Sequence, residues 1–280
     1  VLTKLTSLLA GLALVAVFAR PPTSTRDKAG KPLLPSATLL KHVGKAQLPL
    51  VVEVYWLRII NLGSTARTND EGRDVLGMAE LIEELDPDFS QVYWFAALNG
   101  VIPIKENVWA NAEEAAGHLR RGLARFPSET RLSICLAYNL WRHQGKLAEA
   151  AEVMRLAAKQ PNAPAYFAPL ATRLLAAAGE FKTSREVARE FFSSAMDERT
   201  RRIFENRERT IDLEERLVEI ENAAKRYQDE KGRPAASVDE LVFTGYLKEV
   251  PADPYGGSLL LAPDGTAYSN ANPERLKLHE

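Results

Sequence analysis

Between residues 39 and 196 one pattern keeps returning: an apolar helix, a short turn, a second amphipathic helix and then a proline, with Pro87, Pro127 and Pro161 in the closing position. In the clearest copy Leu132, Leu136, Leu140 and Trp141 mark the first helix, Gly145-Lys146 breaks it, and Ala150, Val153, Met154 and Ala157 carry the buried stripe onward. The next copy places Gly179 34 residues after Gly145, behind the Ala/Leu-rich stretch from Leu170 to Ala178 and ahead of Phe181, Val187, Ala188 and Phe191. A helix pair with one apolar stripe cannot bury it alone, so the repeat predicts units that stack on their neighbours.

A spacing of 34 residues is the tetratricopeptide length, and residues 50 to 195 resemble that family. Gly145-Lys146-Leu147-Ala148-Glu149-Ala150 matches its turn and first small position, Ala157 its second small position, and Pro161 its terminal proline. The small residues let two antiparallel helices approach closely. Upstream, Val75, Met78, Ala79 and Ile82 before Asp86-Pro87, and Ala112, Ala115, Leu119 and Leu123 before Phe126-Pro127, look like second helices of looser units. Gly100 to Asn111 is expected to form an enlarged turn. The resemblance implies a mainly α fold, an α-solenoid of antiparallel helix pairs in a right-handed superhelix whose first helices line a concave groove. Carried onto this chain, it nominates Gln91, Trp94, Asn139, Arg142, Tyr166 and Arg173 as groove residues for a protein or peptide partner. A plain helical bundle competes with this reading, because amphipathic stripes alone do not specify stacking.

Residues 197–230 change character. Between Asp197 and Arg233 there are 10 Lys or Arg and 11 Asp or Glu around a thin stripe that includes Ile203, Phe204, Ile211, Leu213, Leu217, Ile220, Ala224 and Tyr227, which predicts a mostly exposed connecting helix helped by pairs such as Glu221 with Lys225. Beyond it, Ser237 is placed to cap a helix from Val238 to Phe243, with Glu240 at the capping-box position. Leu259 to Leu261 and Ala267 to Ser269, separated by Pro263-Asp264-Gly265, read as a short hairpin. The helix ending at Tyr227, the Gly232-Arg233-Pro234 turn, the Ser-capped helix, Gly245-Tyr246-Leu247 and Pro251-Ala252-Asp253-Pro254-Tyr255-Gly256 resemble the soluble half of the major pseudopilin of type II secretion and related type IV pilin-like proteins. That resemblance implies a small α+β module over 231–280 that docks or caps. No apolar assembly helix with a processing motif precedes it, and the family's calcium-binding loop has no clear counterpart after Asp264.

At the other end, residues 1–19 pair Lys4 with a 15-residue apolar run from Leu5 to Ala19. This is shorter than the roughly 20 residues of a membrane span and reads as an export signal, cleaved or kept as a short inner-membrane anchor. The Pro-rich residues 20–38 suit an extended tether. Together they imply a protein of the bacterial cell envelope, periplasmic or tethered to the inner membrane.

Chemistry is sparse. Lys plus Arg number 36 against 37 Asp plus Glu, leaving no net field to draw in nucleic acid. A single cysteine, Cys135, excludes an internal disulfide and sits inside an apolar repeat helix, a poor place for a nucleophile. His42, His118, His143 and His279 show no metal-ligand spacing, the carboxylates Glu83, Glu84, Asp86 and Asp88 read as a solvated helix end, and no nucleophile elbow or phosphate loop is present. No catalytic residue, metal or cofactor is therefore assigned. The expectation is a non-catalytic interaction protein of the envelope, associated through the second resemblance with secretion or pilus machinery. The alternatives are an enzyme or enzyme subunit with a site between the array and the C-terminal module, or a structural spacer.

Overall fold

The computed structural model describes residues 26–27, 30–43, 47–195 and 197–278, and the chain is mainly helical with two small antiparallel sheets. It divides into two compact units between Lys146 and Leu147. The apolar run at 1–19, and with it the export signal and anchor expected there, lies outside the described residues. No described helix is long and apolar enough to cross a membrane.

In the first unit α1 (Ala37–Val43), α2 (Leu48–Thr65), α3 (Asn69–Leu85) and α4 (Ser90–Gly100) lead into a hairpin of β1 (Ile102–Lys105) and β2 (Val108–Ala110), then α5 (Ala112–Arg125) and α6 (Thr130–Tyr138). From α2 to α6 each helix packs on the next one in the chain. A reciprocal cap sets the start of α3: the Thr68 hydroxyl accepts the Glu71 N–H, and the Glu71 carboxylate accepts the Thr68 N–H. The stripe it launches, Val75, Met78, Ala79 and Ile82, is buried together with Tyr55, Ile59, Val92, Ala96, Leu119 and Leu132. At Gly72 a Cβ would lie 2.5 Å from the Gly100 carbonyl oxygen, so α3 and α4 meet where no side chain fits. The described part of the expected tether is tied down: Arg26 pairs with Asp74 at 2.9 Å and Lys31 with Glu80 at 3.0 Å, because α3 presents acids toward that segment.

The second unit contains α7 (Leu147–Ala157), α8 (Phe167–Ala177), α9 (Phe181–Ser194), α10 (Glu198–Glu205), α11 (Arg207–Lys231) and α12 (Val238–Phe243), then β3 (Leu259–Leu261) paired with β4 (Ala267–Ser269). Helix α7 packs on α8 and α8 on α9, burying Ala150, Met154, Ala171, Leu174 and Val187. The turn glycines Gly145 and Gly179 both adopt left-handed backbone, with φ of +68° and +78°. Ser237 caps α12 by accepting the Glu240 N–H, while the Glu240 carboxylate accepts from Ala236 N at 2.7 Å, from Arg233 and from the Tyr227 hydroxyl.

Helix α11 corrects an expectation. It is not a mostly exposed connector: Leu213, Leu217, Ile220, Ala223 and Tyr227 form the core of this unit with Val238, Leu241, Leu247, Leu259 and Ala267. The stripe was legible, but charge density hid its importance, because two of the acids counted as solvated, buried Glu214 and half-buried Glu221, are held against cations. Glu214 receives both prongs of Arg275, at 2.9 and 2.8 Å, and Glu221 pairs with Arg275 and Lys277 at 3.1 and 2.7 Å. The C-terminal segment, with Leu276 only 1% exposed, supplies the partners.

Candidate functional site

In the first unit the enlarged turn expected from Gly100 to Asn111 contains a β-hairpin. Val101, Ile102, Ile104, Val108 and Trp109 are β-branched or aromatic residues around Glu106-Asn107, and Asn107 takes the left-handed conformation (φ 55°) that such a turn needs and that asparagine tolerates. At the hairpin base Asn111 (φ 63°) donates its amide N–H to the carbonyls of Gly100 at 3.0 Å and Asn69 at 3.2 Å. Beside the hairpin, α6 runs into a π-helical turn, Asn139–His143. A wide turn of this kind offsets the side chains that follow it and is common at functional sites.

Hairpin and π-turn share an aromatic cluster. The rings of Trp109 and His143 lie 4.5 Å apart, Tyr138 meets His143 edge-on at 5.2 Å, and Trp141 lies 6.0 Å from Tyr138. The Arg142 guanidinium lies over Trp109 at 5.6 Å and donates to Asn107 Oδ1 at 2.9 Å, stitching turn to turn. Two buried polar atoms here, Trp109 Nε1 and His143 Nδ1, have no hydrogen-bond partner among the described residues. Burial, followed by the neighbouring Arg142 charge, pushes the His143 pKa down to about 4, so the imidazole is neutral near pH 7. Around this cluster Ile104 (62%), Val108 and Tyr138 (40%) are exposed.

The six nominated groove residues have differing surroundings. In the first unit Gln91 is exposed, Trp94 is half-buried beneath the Arg131 guanidinium at 4.8 Å, and Arg142 belongs to the hairpin contact just described. Asn139 is buried, its Oδ1 accepting from Gln144 Nε2 at 2.7 Å. In the second unit Tyr166 is exposed against the edge of Phe167, and Arg173 donates to the main-chain carbonyls of Leu276, at 3.2 Å, and Lys277. Both border a cleft of about 320 Å³ shared with Pro169, Arg207 and Glu274. The Arg173 guanidinium, nominated as a groove residue for a partner, thus holds the chain's own C-terminal segment.

Other reactive groups are closed in. Cys135 is buried and its thiol is pushed up to about 11, chiefly by burial, which keeps it protonated near pH 7. Glu83, assigned from the sequence to a solvated helix end, is buried instead. One carboxylate oxygen meets His118 Nδ1 and the other accepts from Arg121 Nε at 2.7 Å. That contact links α3 to α5 across 35 residues, and no local pattern announces it. Among the described residues no group of three His, Cys, Asp or Glu could hold a metal ion. The hairpin did carry a local signal, alternating β-branched residues about an Asn turn, which the proline-punctuated helical pattern masked. Comparisons with protein-family models, with curated proteins and with solved structures find no significant match.

Proposed function

We propose that this chain is a non-catalytic protein-interaction module and that the face built from the β1–β2 hairpin and the π-turn is its principal docking surface in the first unit. The observation that carries the reading is the combination of exposed Ile104, Val108 and Tyr138 with a rigid aromatic base of Trp109 and His143. Exposed apolar and aromatic side chains held on a fixed scaffold are the usual anchors of a protein interface, since they bury area on binding at low conformational cost. Helix pairs with left-handed turn glycines at the tetratricopeptide spacing support the repeat-like reading of the array, and the Ser-capped helix followed by the β3–β4 hairpin supports a pseudopilin-like C-terminal module. On that resemblance the partner belongs to secretion or type IV pilus machinery of the cell envelope.

Affinity capture from the native membrane fraction, with the full chain and with Ile104→Asp plus Tyr138→Ala, tests this. Ile104 is exposed and Tyr138 packs edge-on against His143 and Trp141, so the double variant is compared for binding once its circular dichroism shows the helices retained. A protein retained by the parent and lost with the variant is expected. Equal retention by both would move the interface elsewhere, and recovery of the parent chain outside the envelope fractions would remove the envelope assignment.

A further inference from the structure

Among the described residues the C-terminal sheet has two strands, so β3 keeps one edge that none of them pairs with a strand. In an antiparallel pair alternate residues bond across the ladder. Here Asn270 N donates to the Ser258 carbonyl at 3.2 Å and Ala262 N to the Thr266 carbonyl at 2.8 Å. With Leu260 opposite Tyr268, this places Ser258, Leu260 and Ala262 in the bonded positions and turns the N–H and C=O groups of Leu259 and Leu261 away from β4. Both leucines line an open cleft of about 540 Å³, whose other wall is formed by Ala236–Asp239 and Val250–Asp253. Among the described residues no main-chain hydrogen bond joins Leu259 or Leu261 to that wall. Leu260, Tyr268 and Val250 leave apolar surface exposed along the cleft. Among the described residues its charged lining is two carboxylates, Asp239 and Asp253, with no Lys or Arg. Asp253 is fixed in place, accepting from Tyr255 N at 2.8 Å and from the Ser269 hydroxyl.

We infer that the free edge of β3 accepts an extended, basic segment of a partner protein as a third strand, main chain bonded to Leu259 and Leu261 and cationic side chains over Asp239 and Asp253. An unpaired edge offers main-chain donors and acceptors that only extended chain satisfies in register, and side chains alternating along the added strand then set specificity. The two carboxylates select for Lys or Arg, while the exposed Leu260 and Tyr268 favour an aliphatic residue between them. The site is distinct from the Ile104–Tyr138 face and stands whether or not that face binds a partner.

The probe is a fluorescein-labelled ten-residue peptide of alternating lysine and valine, titrated into the full chain and followed by anisotropy. Saturable binding is expected. It should weaken at least tenfold when the lysines are replaced by glutamate, when alternate amides of the peptide are N-methylated in the register that bonds the edge, or when the exposed Asp239 is changed in Asp239→Lys. In parallel, amide exchange at Leu259 and Leu261 should slow on peptide addition, while that at Leu260, already bonded to β4, stays as it was. Absence of saturable binding, undiminished binding of peptides methylated in either register, or unchanged exchange at Leu259 and Leu261 with peptide bound would each overturn the inference. Loss of peptide binding in Ile104→Asp plus Tyr138→Ala, with Asp239→Lys unaffected, would overturn it too and assign the peptide to the first unit.

Discussion

His143 sits where two aromatic neighbours, Trp109 and Tyr138, and the adjacent Arg142 leave its imidazole little water, and its pKa falls to about 4 from an ordinary value of about 6.5. A histidine depressed in this way binds fewer protons folded than unfolded. Its contribution to stability is therefore complete above about pH 6.5 and is lost as pH falls from there toward about 4. Urea denaturation of the parent chain between pH 5 and 7 should show stability falling with acid more steeply than in His143→Gln, and identical slopes would show that the ring is as solvated as in the unfolded chain. The left-handed turns at Gly145 and Gly179 were readable from residue type, since glycine alone adopts that conformation without steric cost. The meeting of His143 with Trp109, or of Glu83 with His118, was not, because each pair is joined only once separate elements pack.

At the scale of elements, small residues decide how near two helices come. Ala150 on α7 is fully buried where α7 packs on α8. Ala150→Leu should overpack that contact and cost roughly 1 to 3 kcal/mol, whereas Ala148→Leu, on the exposed side of the same helix, should change stability by less than about 0.5 kcal/mol. Paired denaturant melts measure both, and similar values for the two would mean that the α7–α8 spacing is set by other residues. The same element scale explains the π-turn. Gln144 N bonds back to the Asn139 carbonyl at 3.2 Å while the Gln144 side chain bridges Asn139 and the Ala112 carbonyl, so a wide turn ends α6 beside the hairpin. Helix periodicity located the helices here, but the widened turn depends on an amide reaching a neighbouring element.

Over the whole molecule each unit has its own core, and the second is closed by its C-terminal segment. Arg275→Ala would leave Glu214 buried without its cation, a loss of about 3 kcal/mol or more in comparable buried pairs. Hydrogen exchange read by mass spectrometry on the intact chain should then quicken across 147–278 and stay unchanged across 47–146; acceleration in both ranges would show that the units unfold as one. Helix stripes, turn glycines, the Ser237 cap and the β3–β4 hairpin were set by the sequence itself, because each depends on side chains within a few residues of one another. Whether charge on α11 faced solvent or the arginine of the C-terminal segment, where Arg173 spent its donors, and which edge of β3 remained open were decided only by the tertiary structure. Those outcomes depend on which groups distant in the chain are brought together, and water is displaced from a charge or a backbone amide only when that packing is complete.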